Sequence, residues 1–224
     1  MISVPLTFFD IEQNSPEWDE ARLGLLTSSN MSKVMAKAGA KKTEPENVVS
    51  SAGAALGDGA KKLALELALY QMTGVPSAAG FKSEVMDRGH EYEPIILKAY
   101  EDLHFCNVEH GGFYCNETIG CSPDGRVGGN VVEAKSRISH VHYANIIRNA
   151  MEPVSKWQCI SNVFLTGSEW IDFMSYCPDF PDEQKLFTYR LYQEDVSSEI
   201  QLMVDRIEVF MQYIEDIKEN IQKG

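Results

Sequence analysis

The clearest pattern in the chain lies near its end, where Ile200, Met203, Val204, Ile207, Phe210, Met211, Ile214 and Ile217 recur every three or four positions. This is the period of an apolar helix face, and it predicts a long helix over 195–221. Ile96, Ala99, Tyr100 and Leu103 repeat at the same spacing and predict a helix over 84–103. Shorter helices are expected at 16–23, 30–37, 60–70, 139–150 and 153–165. The first has a natural N-cap in Ser15 and Pro16 at its first position; Thr27, Ser28 and Ser29 read as caps of the second. Apolar and alternating runs at 111–115, 119–121, 131–135, 170–176 and 186–192 predict strands. Gly, Ala, Ser and Lys over 38–59 read as a mobile loop, and 74–82 as another. Helices, three strands, two helices, two strands and a helix, in that order, predict an α/β fold with a mixed central sheet of about five strands flanked by helices.

One stretch carries candidate chemistry. Pro123-Asp124 is followed by Gly128-Gly129-Asn130, a strong turn signal, and then by Val131-Val132-Glu133-Ala134-Lys135. Side chains alternate along a strand, so Glu133 and Lys135 point the same way. The turn folds that strand back toward Asp124, so two carboxylates and an ammonium converge at one end of a hairpin. Hard carboxylate oxygens suit Mg²⁺ or Mn²⁺, which polarise a phosphate and acidify a bound water; a lysine beside them can orient that water or stabilise charge on phosphorus. D-G turns and E-x-K triplets are each common on protein surfaces, so the weight lies in their combination. Glu93 adds to it. On a helical wheel it falls near Tyr100, on the buried face, where a carboxylate is costly unless it meets a cation. Pro94 beside it either starts the regular helix or kinks it, and a carboxylate at a helix start is favoured by the dipole.

Composition narrows the setting. The 224 residues are 44% apolar and 24% charged, as in ordinary globular domains, with no run near the roughly 20 apolar residues of a membrane span and no secretory signal. Five cysteines without a C-x-x-C read as reduced thiols of a cytoplasmic protein, with neither zinc nor a disulfide framework. The net charge of −13 counts against nucleic-acid binding, but it is uneven. Residues 194–224 hold eight acidic and three basic side chains, whereas 135–156 hold Lys135, Arg137, Arg148 and Lys156 against Glu152. An acidic exterior with a locally basic channel reconciles the two.

Several pieces then occur in one order: Trp18 with Arg22-Leu23-Gly24 and Thr27-x-Ser29, Gly89-x-x-Tyr92-Glu93, Cys121-Ser122-Pro123-Asp124-Gly125, Glu133-x-Lys135, and Gln158. Together they resemble the phage lambda exonuclease, or YqaJ-type viral recombinase, family of the PD-(D/E)xK nuclease superfamily, from about Pro16 to Tyr192. The resemblance implies a single exonuclease domain over 1–224. Asp124, Glu133, the Ala134 carbonyl and Glu93 would bind two Mg²⁺ or Mn²⁺ ions, and Lys135 would position the attacking water. Arg22, Ser29, Ser122 and Gln158 match a pocket for the 5′-phosphate. It further implies 5′→3′ digestion of linear double-stranded DNA to mononucleotides, a 3′ single-stranded tail for recombination, a ring-shaped homotrimer, and work beside a single-strand annealing protein in the bacterial or phage-infected cytoplasm. The region over 38–69 departs from the family pattern, as does Pro94. An endonuclease of the same superfamily, or a non-catalytic DNA-binding protein of the same fold, would share much of the pattern.

Overall fold

The computed structural model describes residues 4–39, 48–76 and 84–223, the side chains of 84–87 excepted. In chain order its elements are β1 (Thr7–Phe9), α1 (Pro16–Ala21), β2 (Leu26–Thr27), α2 (Met31–Val34), α3 (Asp58–Thr73), α4 (Glu84–His104), β3 (Glu109–His110), β4 (Phe113–Cys115), β5 (Ile119–Cys121), β6 (Gly125–Val127), β7 (Asn130–Ser136), α5 (Ser139–Arg148), α6 (Pro153–Thr166), β8 (Trp170–Tyr176), β9 (Leu186–Tyr192) and α7 (Ser197–Lys223).

The strands form two sheets, one ordered β3-β6-β7-β8-β9 and the other β1-β4-β5-β2. The five-stranded sheet is mixed: β7 and β8 run parallel and the remaining pairs antiparallel. This corrects one detail of the sequence expectation. The strands at 113–115 and 119–121 belong to the second sheet, and the five-stranded sheet is completed by Glu109–His110 and Gly125–Val127. Two- and three-residue strands are too short to show an alternation, so nothing in the sequence marks them.

The hairpin between β6 and β7 is the feature that positions chemistry. Val127 pairs with Asn130 across Gly128-Gly129, whose φ values of +55° and +85° suit a two-residue turn of the kind that matches strand twist. Asp124 continues the pairing, its N–H donating to Val132 O at 3.1 Å. Gly111 is required beside it, because a Cβ there would lie 1.8 Å from the Pro123 carbonyl.

Helix α4 packs on the face of β7 that carries Val132 and Ala134, with Ile96 and Tyr100 buried against Met174 and Tyr176. It runs unbroken through Pro94. The Tyr100 hydroxyl donates to Asp172 on β8 at 2.6 Å, and Arg88 donates to Ser136 Oγ and Arg137 O, both at 3.0 Å. These two anchors hold α4 on either side of Glu93. The larger core lies on the other face, between α2, α3, α6 and α7, and includes Ile160, Phe173, Ile207 and Phe210.

Residues 48–57 are not the mobile loop expected. Val49 and Leu56 are buried, short bridges join Ala36 to Val48 and Lys37 to Leu56, and Arg206 of α7 donates to the carbonyls of Ala52, Ala54 and Ala55. The rest of that expected loop, 40–47, and residues 77–82 of the other lie outside the described residues.

Candidate active site

A cavity of 390 Å³ lies where β7, α4, α6 and the segment after α1 meet. Arg22, Ser29, Glu93, Ser122, Asp124, Ala134, Lys135 and Gln158 all line it. Glu133 lies behind that wall, fully buried. The residues singled out from the sequence therefore converge, although they span 136 positions from Arg22 to Gln158.

The centre is a set of coupled charges. Lys135 Nζ contacts Glu133 Oε1 directly and lies 3.8 Å from Asp124 Oδ2. Burial and the nearby Asp124 push the Glu133 carboxyl up to about 8, against the pull of Lys135. Burial, then Asp124, push Glu93 up to about 7. Burial alone would lower Lys135, but Glu133 and Asp124 outweigh it and raise the ammonium above its ordinary value. Asp124 is fixed by the backbone, its Oδ2 accepting the Ala134 N–H at 2.7 Å. A strand residue's N–H and C=O leave on the same side, so the Ala134 carbonyl also lies on the Asp124 side, away from β8.

Gln158 and Asn162, four residues apart on α6, donate to Glu133 Oε1 and Oε2 respectively, the second bond 2.8 Å long. Neither contact could be read from sequence. Gln158 was expected to hold phosphate, yet it spends a donor on Glu133. Ser122 is also engaged: its hydroxyl donates to Gly112 O at 2.8 Å and accepts from Trp18 Nε1 at 3.0 Å. That bond sets the Trp18 indole, over which the Arg22 guanidinium stacks at 3.7 Å. The Arg22 side chain makes no hydrogen bond among the described residues, so none of its donors is spent on them. Burial lowers its pKa, with Asp19 opposing.

The Thr27-Ser28-Ser29 run does not cap the helix as expected; neither Thr27 nor Asn30 makes a side-chain cap bond. Ser28 pairs instead with Ser161 at 2.7 Å, and Thr27 with Ser29 at 3.0 Å, leaving Ser29 at the cavity. Sequence reasoning also missed Gln13, whose Nε2 donates to Pro123 O at 2.7 Å and steadies the Asp124 segment. The basic segment over 135–156 is less free than its composition implies. Arg137 is paired with Glu152 at 2.5 Å, and Lys156 reaches Glu199 of α7 at 3.0 Å. Its positive charge is thus partly cancelled within the chain, in part by the acidic C-terminal helix.

The chemistry of the donor set suits a hard divalent cation: burial, and after it repulsion from Asp124, raises the carboxyls of Glu133 and Glu93, and a cation relieves both. Among the described residues no three such side chains converge as a group that could hold an ion, and Glu133 is bonded to Lys135, Gln158 and Asn162.

The sequence profile of the YqaJ-like viral recombinase domain matches residues 17–169. The chain belongs to the YqaJ-like viral recombinase family. The matched span runs from α1 to the start of β8 and takes in every residue of the cavity wall named above. No curated protein matches the sequence. Among solved structures, the alkaline exonuclease LHK-Exo of Laribacter hongkongensis is 26% identical, with a TM-score of 0.74 over 93% of this chain and 97% of that one. The same enzyme in complex with dAMP gives 0.72 over 93% and 99%, again at 26% identity. A phage-related exonuclease of Haemophilus somnus shares the fold, with a TM-score of 0.68 over 88% and 96% at 13% identity. The alkaline exonuclease fold is therefore the fold of this YqaJ-like chain.

Proposed function

We propose that this protein is a divalent-metal-dependent exonuclease that degrades one strand of linear duplex DNA from its 5′ end to mononucleotides, leaving a 3′ single-stranded tail for recombination. The observation that carries the proposal is the shared cavity, in which an arginine with uncommitted donors lies in one space with Asp124, Glu93 and Lys135. The dAMP-bound LHK-Exo supports it, since a nucleoside monophosphate is the size and charge of product such a cavity would release.

Each residue then has a role. Arg22 grips the terminal 5′-phosphate through its planar fork, a geometry lysine does not offer. Ser29 supplies a hydroxyl at the same cavity. Ser122 holds Trp18, and Trp18 holds the guanidinium plane. Gln158 has a second amide N–H and steadies Glu133 with the first. Asp124, Glu133, Glu93 and the Ala134 carbonyl would hold two ions, Mg²⁺ or Mn²⁺. When bound, such ions polarise the scissile phosphate and acidify a water. Lys135 is held as a cation by Glu133 and Asp124, so it orients the nucleophilic water and faces developing negative charge as a donor, not as a base. Anchoring the terminal phosphate fixes which linkage meets these groups.

Comparing linear with circular duplex in Mg²⁺ tests the reading. Loss of linear DNA alone is expected. Cutting of circles would make the protein an endonuclease, and no loss of either would make it a binding protein. A 5′-phosphorylated end should be digested faster than a 5′-hydroxyl end. In the same reading the chain assembles as a homotrimer around DNA and acts with a single-strand annealing protein in the cytoplasm. A monomer mass by light scattering at micromolar concentration would break the assembly.

A further inference from the structure

The two oxygens of the Glu133 carboxylate are treated differently. Oε1 meets Lys135 and Gln158, both of which line the cavity. Oε2 accepts from Asn162 Nδ2 at 2.8 Å, and Asn162 is fully buried and absent from the cavity wall. Oε1 therefore lies on the cavity side and Oε2 on the interior side. Among the described residues Asn162 is the partner of Oε2, and Asn162 Oδ1 has no partner of its own. A buried amide oxygen without a hydrogen bond is a standing cost, which leucine in its place would avoid. What the amide supplies there is its N–H bond to Oε2.

Building on the nuclease reading, we propose that Asn162 is a positioning residue of the metal site: it holds Oε2 inward, so that Glu133 presents only Oε1 to a divalent cation. A carboxylate with one oxygen tethered cannot rotate to chelate an ion through both, and its other oxygen, which Lys135 and Gln158 share, keeps one direction. Without the tether, Oε2 would be left buried and unpaired, and the carboxylate would be free to rotate about the contact that Oε1 makes with Lys135. Partners that orient a metal ligand in this way alter affinity about 10- to 100-fold when removed.

The test measures Mn²⁺ binding to the full chain without DNA, by electron paramagnetic resonance titration, in wild type, Asn162→Ala, Asn162→Leu and Asp124→Ala. Leu matches Asn in size, so it preserves packing if Ala leaves a harmful cavity. The expected result is a rise of about 10-fold or more in the Mn²⁺ dissociation constant for both Asn162 variants. Their half-saturating Mg²⁺ for digestion should rise with it, and the thermal transition should remain cooperative. Wild-type Mn²⁺ affinity in a folded Asn162 variant would overturn the proposal. So would the unfolding of both variants, which would make the amide a support of the core and not of the ligand. If wild type fails to bind Mn²⁺, or Asp124→Ala binds it equally well, the nuclease reading itself falls and this inference with it.

Discussion

Arg22 and Arg206 are both arginines whose pKa burial has lowered, yet their uses are opposite. Arg206 on α7 is fully buried and donates to Val34 O at 3.1 Å, Ala52 O at 2.6 Å and Ala55 O at 3.2 Å, and also to Ala54 O. Its charge is met by carbonyl dipoles, and its donors are consumed in joining α7 to α2 and to residues 52–55. Arg22 is half-buried, stacks on Trp18 and feels the Asp19 charge, and its side chain makes no hydrogen bond among the described residues. Burial of a charge therefore says little by itself. What separates a structural cation from a ligand-binding one is whether its donors are already spent and whether a cavity opens in front of it.

Breaking Arg206 should have the largest effect. Arg206→Leu leaves several buried carbonyls without partners and should cost about 3–5 kcal/mol of stability. A urea midpoint unchanged from wild type would remove the contrast, whereas activity per folded molecule should be preserved. Lys135→Ala comes next. Loss of the donor facing the reacting phosphate should cost about 100-fold in rate, equivalent to about 2.7 kcal/mol, measured as digestion of linear duplex at saturating Mg²⁺.

Arg22→Ala sharpens the comparison from its other side. It should reduce the preference for 5′-phosphate over 5′-hydroxyl ends by about 10-fold or more while lowering stability by no more than about 1 kcal/mol, the scale of a cation–π contact. Arg22→Lys should restore the charge but only part of the preference, because an ammonium cannot bond two oxygens in a plane. An unchanged rate ratio in both variants would reassign Arg22 to structure, beside Arg206.

The smallest effect is on pH dependence. Burial would raise Glu152, but Arg137, Ser155 and Asn145 together hold it below the ordinary carboxylate value of 4.5. The folded state thus binds this proton less readily than the unfolded one. The stability it contributes is complete above the unfolded pKa and fades as pH falls through the depressed folded value. Thermal scans below about pH 4.5 should show wild type losing stability faster than Glu152→Gln. Parallel curves would show that the Arg137 pair contributes nothing through this group.

Much of this was legible in the chain. The strands at 170–176 and 186–192 end where their alternation ends, and α4, α6 and α7 follow their apolar spacing to within a few residues. Asp124, Glu133 and Lys135 were readable as a cluster because they lie within 12 residues of one another and a two-glycine turn joins them. Local geometry alone brings such groups together. Membership of one cavity by Arg22, Glu93 and Gln158 could be inferred only through resemblance, since they are too far apart for any local rule.

The elements with a strong period, and the hairpin that gathers the central charges, follow from the order of residues alone. How the polar groups are spent depends on packing between distant segments. Ser122 serves Trp18, Gln158 and Asn162 serve Glu133, Ser28 serves Ser161 and not a helix end, and Arg206 pins residues 52–55. The reason is physical. Apolar periodicity is fixed by backbone geometry and repeats along the chain, whereas a hydrogen-bond donor commits to whichever acceptor packing delivers, here 25 to 172 residues away.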